Sequence, residues 1–264
     1  MKATSYDEIN TLLDDLLTRM QGILGGKLVG LYLYGSLVWG DFDYEISDID
    51  LLAVTVTAID EEFNSLEKMH NDFVRDYTTW NDRLEIAYLS VKGLQTFRVE
   101  RSPIAVISPG EPFNKKVAGY DWLLNWYVVQ EKGVTLYGPP FKTIIEPISK
   151  EEYIQAVQHQ VEDWREYVTH TRHSRPYQAY TILTMCRALH SFKTGQQVSK
   201  KQAALWVLEQ LPDWSGLIQN ALKWRNDYKN KYIDHEATYP EIVRFVNFIA
   251  DYIKAENRLV LPGK

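Results

Sequence analysis

Between residues 28 and 56 two apolar runs, "LVGLYLYG" (28–35) and "DIDLLAVTV" (48–56), flank a polar loop that begins at Gly35-Ser36 and ends at Ser47-Asp48. Each run has the length and apolar content of a buried strand, so the chain must fold around a sheet with carboxylates at its lip. Alternate residues of a strand point the same way, which puts Asp48 and Asp50 on one face and turns Ile49 to the other. Carboxylates that project together repel unless a cation receives them. Mg²⁺ takes one or two carboxylates, keeps water, and completes its shell with phosphate oxygens. Gly35-Ser36 suits the phosphate side, because glycine admits close backbone approach and serine offers a hydroxyl and an amide. Gly40 and Ser47 help shape the same loop.

A third run, "RLEIAYLSV" (83–91), reads as another strand. Leu84 and Ile86 form its buried face, while Glu85 points with Arg83 and Ala87 to the other side. If this strand lies beside the Asp48-Asp50 strand, Glu85 reaches the same site, as a third metal ligand or as the base that deprotonates an attacking hydroxyl. A Gly-Ser pair or an Asp-x-Asp alone says little. The full order of strand, Gly-Ser, polar loop, Ser-Asp-x-Asp, apolar strand and later strand with Glu points to nucleotidyl transfer.

The rest of the chain divides near its middle. Residues 6–24 carry a helical stripe stopped by Gly25-Gly26, and a helix-like run spans about 59–77. "SPIAVIS" reads as a short strand and "GYDWLLNWYVVQEKG" as a helix capped by Gly133. "LYGPPFKTIIEPIS" (136–149) is dense in turn signals and is read as a linker. Beyond it the periodicity is helical at 150–171, 176–194, 199–210, 214–230 and 239–258. The expected fold is α+β, with a mixed sheet flanked by helices over 1–145 and an α-helical bundle over 146–264.

Composition narrows the function classes. A formal net charge of −6 argues against binding nucleic acid through its phosphates and suits a cationic small molecule. The single cysteine, Cys186, excludes an internal disulfide and fits a reducing compartment. No apolar stretch approaches the roughly 18 residues of a membrane span, and the acidic start "MKATSYDEINTLLDD" is unlike a signal peptide, so a cytoplasmic protein is expected. A monomer is taken as the starting expectation; no feature of the sequence sets the oligomeric state.

These residues carry a resemblance. "YGSLVWGDFDYEISDIDLLAV" resembles the signature of the polymerase-β-like nucleotidyltransferases, and "ILTMCRALHSFKTGQQVSKKQAALWVLEQLP" resembles the helical domain of the aminoglycoside 3″/9-adenylyltransferases. The resemblance implies transfer of AMP from ATP to a hydroxyl, with the nucleotide held between two domains. It makes Ser36 and Ser47 phosphate-side residues, Asp48 and Asp50 magnesium ligands, and Glu85 the catalytic base. Joined to the reading of the residues themselves, it gives Gly35 as nucleotide-side, Glu85 as a further metal ligand, and a site for two Mg²⁺ ions. It further implies that Arg187, Lys200 and Tyr228 contact ATP.

The resemblance stops where the acceptor would bind. The family grips its cationic drug with tryptophan and acidic residues before the "LTL" helix. Here "YVTHTRHSRPYQAYTILTM" is basic and aromatic, and no carboxylate lies between Glu166 and Glu209. A multiply charged guanidinium sugar needs carboxylates to receive it, so spectinomycin is favoured over streptomycin as acceptor. The alternatives are the same chemistry on another acceptor (a lincosamide, a protein or an RNA), a non-catalytic nucleotide-binding module, and a calcium-type structural site. His170 and His173 share a helical face without an evident third ligand and are read as a solvated cluster. Trp164, Trp206 and Trp224 are read as core, Trp39 as a loop aromatic able to stack on a ligand, and Cys186 as buried and inert.

Overall fold

The structure, a computed structural model, describes residues 2–224 and 234–260. The chain splits into two compact units, Met1–Ile148 and Ser149–Lys264.

The first unit is built on six strands: β1 (Leu28–Tyr34), β2 (Ile49–Thr55), β3 (Leu84–Ser90), β4 (Ser102–Ser108), β5 (Glu111–Ala118) and β6 (Val134–Tyr137), in the order β5-β4-β3-β2-β1-β6. β2 and β3 run parallel and every other pair is antiparallel, so the sheet is mixed as expected. The parallel pair needs a crossover, supplied by α3 (Phe63–Asp76). The helix α1 (Asp7–Leu24) covers the same face, burying Ile9, Leu12, Leu13, Leu16, Met20 and Leu24. These side chains join Leu31, Leu33, Leu51, Ile86 and Phe73 in one core. The remaining helices of this unit are α2 (Ser36–Trp39), α4 (Val91–Thr96) and α5 (Leu123–Lys132).

Two elements depart from the sequence reading. The segment read as a linker starts inside β6, whose residues Val134, Thr135 and Tyr137 pair with β1. β5 carries no strand signal in the sequence. Both are edge strands, so neither carries the apolar run that marks β1 to β3.

Among its described residues the second unit is built from helices: α6 (Lys150–Tyr167), α7 (Arg175–Thr194), α8 (Lys200–Gln210), α9 (Ser215–Trp224) and α10 (His235–Val260). Ser149 caps α6 in a capping box with Glu152, and Ser199 caps α8 in another with Gln202. Ser174 caps α7, whose far end is closed by Gly195 in the left-handed conformation. α7 is apolar on nearly every side and is buried from Gln178 to Ser191 at most positions, so it forms the centre of the bundle, packed by α6, α8, α9 and α10. Cys186 lies in this helix fully buried, and burial pushes its thiol well above its ordinary value, consistent with an inert residue. Trp164 is buried, whereas Trp206 and Trp224 are only partly so.

Candidate active site

The parallel pairing of β2 and β3 brings the carboxylates together. Asp50 stands opposite Glu85 in register, and Ile49 opposite Leu84, which turns the two acids to the same face. Asp48, just before β2, completes the group: one ligand oxygen from each of Asp48, Asp50 and Glu85 lies within 4.8 Å of the others. All three side chains are half-buried. Across the other edge of β2, Tyr34 pairs with Asp50, so β1 delivers Gly35 directly against the cluster.

Gly35 has a φ of 75° and a ψ of −152°, a conformation open in practice to glycine alone. A Cβ there would overlap the Asp50 carboxylate. The glycine thus serves both the turn into α2 and the close approach of the acid. Ser36 follows at the first position of α2, and its Oγ is buried without a hydrogen-bond partner among the described residues. A buried hydroxyl left without a partner is a position prepared for a ligand oxygen.

The loop between α2 and β2 is held from within. Ser47 is only 3% exposed; its Oγ accepts from the Asp43 amide at 3.0 Å and its amide donates to the Asp43 carbonyl at 2.8 Å. Its hydroxyl therefore shapes the turn that launches Asp48. Tyr44 donates to Glu8 of α1 at 2.7 Å, which lifts the Tyr44 hydroxyl above its ordinary value and ties the loop to the core helix.

Hard oxygen donors in a tight carboxylate group, beside a glycine turn and an orphaned serine hydroxyl, fit Mg²⁺ and a phosphate-bearing ligand. Asp48, Asp50 and Glu85 would hold the metal.

In the second unit Arg187 lies half-buried in α7, and Lys200 is the first residue of α8. The Lys200 ammonium sits 3.7 Å from the centre of the exposed Tyr180 ring, which packs with the exposed Tyr167 around the buried Trp164. Positive charge at a helix N-terminus reinforces the dipole and favours an anion. Tyr228, expected at the nucleotide, lies outside the described residues. The segment 168–178 is less basic in space than in sequence, because Glu236 of α10 pairs with Arg172 at 2.9 Å and with His173 at 3.6 Å. The pairing holds the Glu236 carboxyl below its ordinary range.

Known proteins resemble this chain in sequence and in fold. Residues 143–252 match the family described as "Aminoglycoside adenylyltransferase, C-terminal domain". Along 228 residues the chain is 23% identical to an aminoglycoside (3″)(9) adenylyltransferase of Shigella flexneri, covering 80% of this chain and 83% of that protein. An Escherichia coli enzyme of the same name is also 23% identical, over 80% of this chain and 82% of its own length. Over most of its length the chain is similar to the aminoglycoside (3″)(9) adenylyltransferases. Its fold is that of a spectinomycin adenyltransferase, AAD(9), from Enterococcus faecialis, solved with ATP and spectinomycin, at a TM-score of 0.69 and 18% identity over 92% of this chain and 98% of that one. The family match covers Arg187 and Lys200 but begins after Asp48, Asp50 and Glu85, so the acidic centre stands on its own geometry.

Sequence reading missed Arg83. It noted only the face Arg83 shares with Glu85, whereas the side chain crosses to the loop before Asp48 and bonds the carbonyls of Tyr44 and Ser47. No local pattern marks such a contact.

Proposed function

We propose that the chain is an Mg²⁺-dependent adenylyltransferase that moves AMP from ATP to a hydroxyl of spectinomycin or a closely similar aminocyclitol, in preference to streptomycin. The observation that carries this reading is the meeting of Asp48, Asp50 and Glu85 across the parallel β2–β3 pair. When bound, Mg²⁺ supplies charge neutralisation for the triphosphate and for the developing negative charge of the transfer.

The chain's own residues do the rest. Gly35 lets the phosphate approach the backbone, and the orphaned Ser36 hydroxyl donates to it. Glu85 takes the proton of the acceptor hydroxyl as its oxygen attacks the α-phosphorus. The bond from the α-phosphorus to the bridging oxygen breaks, and pyrophosphate leaves with its electron pair. Arg187 and Lys200 bind phosphate oxygens by charge-assisted hydrogen bonds. Ser47 serves through the loop turn, where its Oγ is engaged.

For the acceptor, the support is the names of the relatives together with the composition of the helical unit. The stretch from Tyr167 to Leu208 holds no carboxylate, and two acids that come to it, Glu236 and Glu256, are already paired with Arg172 and Lys193. That leaves little for the guanidinium groups of streptomycin. Incubating the full chain with ATP, Mg²⁺ and, separately, spectinomycin, streptomycin and a lincosamide, followed by mass spectrometry, tests the reading. An added AMP on spectinomycin is expected. An adduct on streptomycin or the lincosamide alone would reassign the acceptor, and label found only on protein or RNA in a lysate would move it to a macromolecule.

A further inference from the structure

We propose that Arg83 is a positioning residue for the metal site: it fixes the backbone from Tyr44 to Ser47 so that Asp48 emerges over Glu85. The inference rests on the reading of Asp48, Asp50 and Glu85 as a metal centre.

Arg83 immediately precedes β3, and its carbonyl accepts the Ile49 amide at 2.9 Å, the bond that opens the β2–β3 ladder. Its guanidinium then turns to the loop preceding β2. Nε donates to the Ser47 carbonyl at 3.0 Å, and Nη2 donates to the Tyr44 carbonyl at 2.7 Å and to that of Ser47. A longer bond, 3.5 Å, runs from Nη1 to the Thr79 carbonyl. The guanidinium lies 4.5 Å from the centre of the Trp80 ring, which itself packs against Phe42 and Tyr44 of the loop. Ser47 is the residue joined to Asp48, so one planar group pins the peptide that aims the first carboxylate.

What Arg83 does not bond is as informative. Among the described residues its hydrogen bonds all go to backbone carbonyls and none to a carboxylate. A cation two residues from Glu85 would compete with a metal if it bridged the acids. Committed to carbonyls and to an aromatic face, it leaves the ligand oxygens to the metal. A lysine could not replace it, since a single ammonium lacks the planar fork that spans two carbonyls while stacking on indole.

The test is Mn²⁺ titration of the full chain by electron paramagnetic resonance, for wild type, Asp50→Asn, Arg83→Met and Arg83→Lys, with thermal unfolding of each. Wild type is expected to bind Mn²⁺ and Asp50→Asn to lose it. Arg83→Met is expected to bind roughly 10- to 100-fold more weakly, the usual cost of losing a group that orients a metal ligand. In turnover assays its kcat is expected to recover toward wild type as Mg²⁺ is raised, with the KM for ATP little changed, which a generally damaged fold would not show. Arg83→Lys is expected to lose most of the same affinity, and it carries the test if Arg83→Met does not fold. Wild-type Mn²⁺ affinity in both variants, with only the unfolding temperature lowered, would overturn the inference while sparing the metal centre. No difference between wild type and Asp50→Asn would remove the metal centre, and the inference with it.

Discussion

Asp50 of β2 and Glu85 of β3 face each other in parallel register, with Tyr34 of β1 opposite Asp50 on the other side. Because the pleat is shared, the two acids project together, and Asp48 joins them from the preceding residue pair. Three carboxylates so placed repel one another in the absence of a cation, so each should be worth more to catalysis than to stability. Asp50→Asn is expected to cut turnover at least 100-fold, about 3 kcal/mol of transition-state stabilisation. Its unfolding midpoint in chelator should stay level or rise. Retention of a tenth of the activity would rule out Asp50 as a metal ligand.

Glu85→Gln separates binding from chemistry. The amide keeps the shape of the acid but cannot accept the hydroxyl proton, so kcat should fall at least 100-fold with ATP affinity within about threefold of wild type. Isothermal titration beside steady-state kinetics checks this. A raised KM for ATP with unchanged kcat would make Glu85 a binding residue only.

Gly35→Ala tests the close approach of β1 to the cluster. The glycine's φ of 75° and the overlap of a Cβ with the Asp50 carboxylate combine strain with a clash. The substitution should cost at least about 1–3 kcal/mol in urea unfolding, the range for a non-glycine residue in such a conformation, and should also displace Asp50. Wild-type stability together with wild-type turnover would contradict the geometry.

His70 should make the first unit acid-sensitive. It is buried in α3 against Tyr88, its Nε2 within 2.8 Å of the Tyr88 hydroxyl, and burial pushes it down to about 4 from 6.5. The unfolded chain therefore takes up a proton near 6.5 that the folded chain refuses until about 4. The stabilisation is complete above 6.5 and is lost as pH falls from 6.5 to 4, up to roughly 3 kcal/mol in all. Urea midpoints at pH 7 and pH 4.5, for wild type and His70→Gln, read the effect. The variant should show a flatter dependence, and equal slopes would assign the acid sensitivity elsewhere.

Arg187→Ala should weaken ATP binding by about 1.5–3 kcal/mol, the worth of a charge-assisted hydrogen bond. Calorimetric titration decides it. Unchanged affinity would withdraw Arg187 from the nucleotide.

Much of this was legible in the sequence for a physical reason. β1, β2 and β3 are central strands buried on both faces, so they read as apolar runs, and the period of two then fixed which way Asp48, Asp50 and Glu85 point. The strand neighbourhood of Glu85 was a condition in the sequence and a register in the structure. β5 and β6 were not legible because edge strands take their structure from a partner. "EPFNKKVA" has a proline and two lysines, and "VTLY" runs into the turn signals of Gly138 and Pro139. Arg83 escaped notice because its bonds go to carbonyls 36 and 39 residues away, which side-chain patterns do not encode. The compensation of Arg172 by Glu236 was hidden likewise, since the acid comes from a helix 64 residues later.

The most direct test is to follow the two ends of ATP separately. Spectinomycin is incubated with the full chain, Mg²⁺ and ATP labelled at either the α- or the γ-phosphorus, and the drug is recovered. The expected result is label on spectinomycin from α-labelled ATP only, with the γ-label appearing in pyrophosphate, and none from the Asp50→Asn variant. Label on the drug from the γ-position, or no label from either, would contradict adenylyl transfer at the Asp48-Asp50-Glu85 centre.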